Sequence, residues 1–269
     1  DHEIDIAVHS MKDVETVRAS IFGIVAMLPR ADVRDRLIGA ESIAALPQGA
    51  KVGTSSPRRA AQLKALRPDI TTGSIRGNVA TRLSKVENGE FDATFLAAAG
   101  LARLGQGNIG TAIETSEMLP AASQGAIGID YLVERSEIAA LMVPINHPAT
   151  FACVMAERAF LEALGGTCHS PVAAQAVWHG DILTLQGEIL REDGSEREQG
   201  SITCKPGDQL APALLARQLL DAATPELRAL FDDEGRTQRW LAILAGLAEA
   251  QAGLGVVPAE AASAIRAHA

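Results

Sequence analysis

Aromatic residues make up only 3% of this 269-residue chain: two Trp, one Tyr and six Phe. Single-stranded nucleic acid is bound largely by stacking bases on aromatic rings, and a net charge of −9 opposes any polyanion. No nucleic-acid partner is expected. Cysteine is nearly absent too, since Cys153, Cys168 and Cys204 are too few and too scattered for a disulfide framework or a paired-Cys zinc site. That usage points to a reducing, cytoplasmic setting. Long apolar runs are missing: Ile21 to Pro29 and Ala93 to Ala102 fall far short of the ~20 residues a membrane helix needs, so no membrane association is expected. The chain starts at Asp1 with no charged start and apolar core ahead of it. It is expected to be a fragment without a signal peptide. There is no glycine-rich phosphate loop and no recognisable hydrolase motif. His147 and His169 lack a second ligand at metal spacing, so no metal is expected.

What is present is an ordinary folding composition, 47% apolar and 21% charged, long enough for two or three domains. The charge is unevenly spread. Lys51 to Lys85 carries eight basic residues against Asp69 alone, a local +7 that leaves −16 elsewhere. A focused basic site on an acidic protein fits a small anionic ligand held by several arginines.

Ile4 to Val8 reads as a buried strand delivering Ser10-Met11-Lys12-Asp13 to its C-terminal edge, where open α/β sheets bind ligands. Ile21 to Leu28 reads as a second strand, and the acid-base mix of Ala31 to Gln48 as a linker. From Lys51 onward strands alternate with helices, the pattern of a parallel, helix-covered sheet. A strand at Ala126 to Asp130, helices at Ser136 to Met142 and Pro148 to Leu164, three alternating strands between Val172 and Cys204, and a helix from Gln209 follow. Beyond about Leu230 lies a helical pair broken at Gly253 to Pro258.

Thr54-Ser55-Ser56-Pro57-Arg58-Arg59 puts Ser56 at an N-cap, Pro57 at the first helical position and two arginines in the first turn. A helix N-terminus is already partly positive, so the arginines are misplaced there unless an anion sits among them. A solvated helix start is the competing reading. Arg76-Gly77-Asn78, with Asn78 as the cap and Arg76 and Arg82 flanking the same helix start, repeats the arrangement after another strand and tilts the balance to a ligand. Asp13 reads equally as a counter-ion of this cluster and as a catalytic carboxylate. Cys168 follows Leu164-Gly165-Gly166-Thr167, a glycine loop that favours exposure and covalent chemistry, whereas Cys153 and Cys204 read as buried small hydrophobes.

Asp5-Ile6-Ala7-Val8-His9-Ser10-Met11-Lys12-Asp13, Val52 to Arg59, Arg76 to Leu83 and Gly165-Gly166-Thr167-Cys168 resemble, in order and spacing, the hydroxymethylbilane synthases, also called porphobilinogen deaminases. The resemblance runs from Asp1 to about Leu230. It implies an α/β fold with two periplasmic-binding-protein-like lobes, the first incomplete (1–29 with 125–144, then 30–124). A small α+β domain at 145–230 and a helical extension at 231–269 complete it. It implies a monomeric transferase of tetrapyrrole, porphyrin and heme biosynthesis that condenses four porphobilinogen molecules into hydroxymethylbilane on a dipyrromethane cofactor joined to Cys168 by a thioether. Asp13 would be catalytic. Ser10, Lys12, Thr54, Ser55, Ser56, Arg58, Arg59, Arg76, Gly77 and Arg82 would hold the cofactor, and Arg76, Arg82, Arg103 and Gln124 the substrate.

The family also has an opening strand and an Arg-x-Ser-x-Leu-Ala segment ahead of the Asp5 motif, for which this sequence has no counterpart, and Ser123 stands where it usually has Gly. The tail from Phe231 to Ala262 is similar to the N-terminal helices of the fumarase/adenylosuccinate lyase superfamily, in its carboxymuconate cycloisomerase branch. It contains none of their catalytic motifs. The alternative to an enzyme is a non-catalytic module of the same fold that binds small anions.

Overall fold

Short apolar runs alternating with capped polar segments build the first unit of the chain, Asp1–Ala222, in the computed structural model, which describes residues 4–167 and 169–268. In chain order the unit begins with β1 (Ile6–Ser10), β2 (Phe22–Met27), β3 (Asp35–Ile38) and β4 (Lys51–Gly53). α1 (Pro57–Leu66), β5 (Thr71–Gly73), α2 (Val79–Glu87), β6 (Ala93–Ala97) and α3 (Ala98–Arg103) follow. Then come β7 (Thr111–Ala112), β8 (Ile127–Leu132), α4 (Ser136–Met142) and α5 (Pro148–Ala163). β9 (Val172–His179), β10 (Ile182–Leu190), β11 (Arg197–Cys204) and α6 (Leu210–Ala222) close it.

The strands form three sheets, ordered β1-β8-β2, β5-β4-β6-β3-β7 and β11-β10-β9. Two sequence expectations need correction. Ala31 to Gln48 is not merely a linker: Asp35–Ile38 is a strand paired antiparallel with β6 and β7, which makes the second sheet mixed, with only the β4 pairings parallel. Its apolar Leu37 and Ile38 are buried, but the charges around them hide the strand from a hydropathy reading. β1 is not a buried strand either. It lies at the edge of its sheet, paired with β8 alone, and leaves Val8 62% exposed.

The helix starts follow their sequences. Ser56 is extended (φ −96°) and its side chain accepts from the Arg59 N–H, with Pro57 in the first turn. Asn78 caps α2 by accepting from the Thr81 N–H at 2.9 Å. Both are the side-chain caps that satisfy otherwise orphaned helical donors.

Leu37, Val52, Leu63, Ile70 and Phe95 form the core of the second sheet, and Met11, Met27, Ala126 and Val154 join the first sheet to α5. In the third sheet Leu183, Leu185 and Ile189 are buried at the two-residue period of a strand, one face turned inward. Gly187 belongs to that row because a Cβ there would come within 2.4 Å of the Phe160 ring of α5. Among the described residues no single helix is long and apolar enough to cross a membrane.

The second unit, Ala223–Ala269, contains α7 (Pro225–Arg228), α8 (Asp233–Gly253) and α9 (Ala259–His268). Ala245 and Ala248 of α8 and Ala262 of α9 are buried, and Arg266 forms a two-bond ion pair with Glu249 at 2.7 and 2.5 Å.

Candidate active site

A cavity of about 290 Å³ opens in the first unit. Lys12 and Asp13 reach it from the turn after β1, Ser55, Ser56, Arg58 and Arg59 from the start of α1, and Arg82 from α2. Gln124 lines it from the segment before β8, and Leu161, Thr167, His169 and Ser170 from α5 and the loop that follows. Cys168 lies outside the described residues, but both of its chain neighbours line the cavity. A larger hollow of about 480 Å³ runs past Arg30, Arg34 and Trp178. Its arginines are already paired with carboxylates of the chain, Arg30 with Glu157 and Arg34 with Asp32 and Glu114.

Five sequence-predicted residues are not on the cavity wall. Ser10 ends β1 opposite Ile127. Thr54 is spent locally, its hydroxyl accepting from the Ser56 N–H at 3.1 Å. Gly77, at φ 115°, makes the turn into α2, where a Cβ would meet the Thr81 side chain at 2.7 Å, and its carbonyl accepts from Arg82 Nε. Arg103 is exposed and donates to the Gly125 carbonyl at 3.1 Å. Arg76 is exposed.

The expectation that Arg58 and Arg59 wait for an external anion is corrected by Asp35, which is 1% exposed. Its carboxylate accepts from Arg58 Nη2 at 2.8 Å, Arg59 Nη2 at 2.6 Å and Gln124 Nε2 at 2.9 Å. Complete burial alone would raise its pKa; the two guanidinium groups overcome this and hold it well below the usual carboxylate range. The helix start does hold an anion, as the electrostatics demanded, but one supplied by the chain itself. Arg58 donates further to Gln62 and to the Leu119 carbonyl, and Gln62 passes the network to buried Glu188 on β10, which also pairs with Arg197.

One carboxylate does not satisfy all this charge. Among the described residues the buried Nε–H groups of Arg58 and Arg59 find no partner. Burial, and then the charge of Arg59, lowers the Lys12 pKa to about 8, and the same two causes lower that of Arg82. Four cations, Lys12, Arg58, Arg59 and Arg82, thus converge on the cavity wall, and among the described residues Asp13 is the sole acidic side chain lining it. Such a wall favours a ligand with more than one carboxylate or phosphate.

The segment carrying Gln124 is held by a carboxylate that the sequence reading missed. Glu157 of α5 is fully buried and accepts from Arg30 at 2.6 and 2.9 Å, the Ser123 N–H at 2.6 Å and the Ala176 N–H at 2.7 Å. Ser123 is at φ 67°, the left-handed region that glycine adopts without strain. Gly125 follows at φ 85°, where a Cβ would sit 2.7 Å from the Ala31 carbonyl oxygen. A signal for Glu157 was available: it lies three residues from both Val154 and Phe160, on the buried side of an apolar helix.

Compared with known families, residues 1–140 match the model described as porphobilinogen deaminase, dipyromethane cofactor binding domain, and residues 151–220 the porphobilinogen deaminase C-terminal domain. A porphobilinogen deaminase of Sphingopyxis alaskensis is 53% identical over 85% of this chain and 74% of its own length. One of Paracoccus denitrificans is 52% identical over 72% of this chain and 63% of its own length. Among solved structures, a TRAP periplasmic solute binding protein from Pseudomonas putida F1 is similar at a TM-score of 0.33 and 14% identity, over 53% of this chain and 45% of that one.

Proposed function

The chain belongs to the porphobilinogen deaminase family, whose members are transferases of tetrapyrrole biosynthesis, and from that premise we propose that its cavity deaminates porphobilinogen and condenses four molecules head to tail into hydroxymethylbilane. The observation that carries the reading is the convergence of Lys12, Arg59 and Arg82 on one wall beside Asp13. Porphobilinogen presents acetate and propionate groups, and the cations bind and orient these. The carboxylate of Asp13 stabilises positive charge on the pyrrole nitrogen as the aminomethyl C–N bond breaks and ammonia leaves, an ion pair strengthened where the cavity excludes water. Ser55 is committed to the Ile75 carbonyl at 2.7 Å, so its part is to hold the loop before α1 in place.

The same features fit a dipyrromethane, another polycarboxylate, because the buried Nε–H groups and depressed cationic pKa values mark positive charge that the chain leaves unmatched. Joined to Cys168, that cofactor would supply the free pyrrole carbon that takes the first unit and so primes the growing chain. Lys12, Ser56, Arg58, Arg59 and Arg82 would hold it, and Thr167 and His169, beside Cys168, support that placement. Arg76 and Arg103, off the wall, would meet the substrate side chains nearer solvent.

The three sheets support two lobes at 1–29 with 125–144 and at 30–124, and an α+β domain from 145. The free thiols of Cys153 and Cys204 support a cytoplasmic location.

The test is ammonia release when porphobilinogen is added to the full chain. The parent should release it, and Asp13→Asn should bind substrate yet release ammonia ~10²–10⁴-fold more slowly, the range of acid–base groups. A parent that binds porphobilinogen and releases none would overturn the proposal.

A further inference from the structure

Arg158 of α5 is only 7% exposed, and among the described residues no carboxylate lies within ion-pairing distance of it. The charges of Glu162 and Asp130 reach it only from beyond pairing distance, and a buried guanidinium without a direct ion pair must have its donors satisfied by other means. Here they go to three consecutive backbone carbonyls, Val14 at 3.1 Å, Glu15 at 2.6 Å and Thr16 at 3.4 Å. These residues directly follow Asp13. The turn is pinned at its other end by the Met11 N–H on the Ala126 carbonyl at 3.0 Å and closed by the Val14 N–H on the Met11 carbonyl. The planar fork of arginine is suited to such a grip, whereas a lysine ammonium is a single point donor.

The helix that carries this grip also leads to the cysteine. α5 ends at Ala163, five residues beyond Arg158, and Leu161 and Thr167 of the same stretch line the cavity. Phe160 and Val154 are fully buried, so the helix is fixed on both the first and the third sheets. We propose that Arg158 is a positioning residue that fixes the Asp13 turn against α5, so that one rigid helix sets the placement of Asp13 relative to the Cys168 loop. The proposal rests on the reaction assigned above. It also makes a claim about the turn that stands apart from turnover.

Two readouts on the full chain separate the two claims. In Arg158→Lys, which keeps the charge and loses the fork, amide hydrogen exchange across residues 11–16 should quicken at least tenfold while α1 and β10 keep their protection. With porphobilinogen, kcat should fall at least tenfold and KM should change less than twofold, because the cations that bind carboxylates are untouched. Unchanged exchange in 11–16, or a fall in stability that moves KM and kcat together, would overturn the positioning role. If Arg158→Lys does not fold, ¹⁵N NMR of the parent decides: the Arg158 Nη protons should exchange far more slowly than those of exposed Arg76, and equal rates would refute the grip. A parent without turnover would defeat the assigned reaction, and the exchange measurements would still report on the turn.

Discussion

Replacing Asp35 by Asn removes the one negative charge between two buried guanidinium groups while leaving shape and volume almost unchanged. The carboxylate accepts from Arg58, Arg59 and Gln124 at 2.6 to 2.9 Å, and is itself 1% exposed. Asn offers a single neutral acceptor, so Arg58 and Arg59 are left facing each other. Breaking a buried ion pair from one side costs about 3–5 kcal/mol, and in a unit of this length each kcal/mol lowers Tm by about 2–4 °C, a fall of roughly 6–20 °C. Urea unfolding of parent and variant at pH 7 measures the difference directly. Its pH dependence has a definite sign. The folded-state pKa of Asp35 is depressed, so its contribution is complete above the unfolded value of about 3.9 and is lost as pH falls through the folded value. The gap between parent and variant should therefore be flat from pH 5 to 7 and close below pH 4. A difference under about 1 kcal/mol at pH 7, the size of an exposed pair, would refute the claim that Asp35 neutralises this helix start.

Lys12, with its pKa lowered to about 8 by burial and by Arg59, should lose its proton, and with it part of the anion site, as pH rises through that value; affinity for a tricarboxylate should fall across pH 7–9 in the parent and stay level in Lys12→Met, and a parent with constant affinity would contradict this. The same depressed value means that charged Lys12 weakens the fold at neutral pH, a penalty relieved as pH rises from about 8 towards 10.5. Cys153, buried and pushed up to about 11, and Cys204, also raised by burial, should resist alkylation at pH 8 until the chain unfolds; peptide mapping that finds Cys153 labelled in the native chain at a free-thiol rate would disprove it.

What could be read in the sequence was what local chemistry dictates. Ser56 and Asn78 were legible as caps because side-chain capping is settled within four residues, and both caps are present. The three strands from Val172 to Cys204 were equally plain, since the middle one buries Leu183, Leu185 and Ile189 on one face at the strand period. The gathering of Lys12, Asp13, Arg59 and Arg82 around one cavity followed from charge concentrated at strand and helix ends. Asp35 was illegible because its partners lie more than 20 residues away and its charge made a core strand look like a linker. Glu157 and Arg158 were missed for a related reason: the helical spacing of Glu157 from Val154 and Phe160 marks it as buried, but the backbone groups that the two residues bind lie in segments far off in the chain, which no local pattern encodes. Arg58 shows what a local argument leaves out: its helix start also meets an internal anion, Asp35, 23 residues away in the chain.

The most direct measurement of the central claim is the intact mass of the full chain, loaded with dipyrromethane and then given limiting porphobilinogen. The account predicts a covalent adduct on Cys168, followed by a ladder of equal increments, each the mass of porphobilinogen less ammonia, with every step absent in Cys168→Ser. A chain that binds porphobilinogen in its cavity yet keeps the mass of bare protein would contradict it, and would leave a module that binds small anions without joining them.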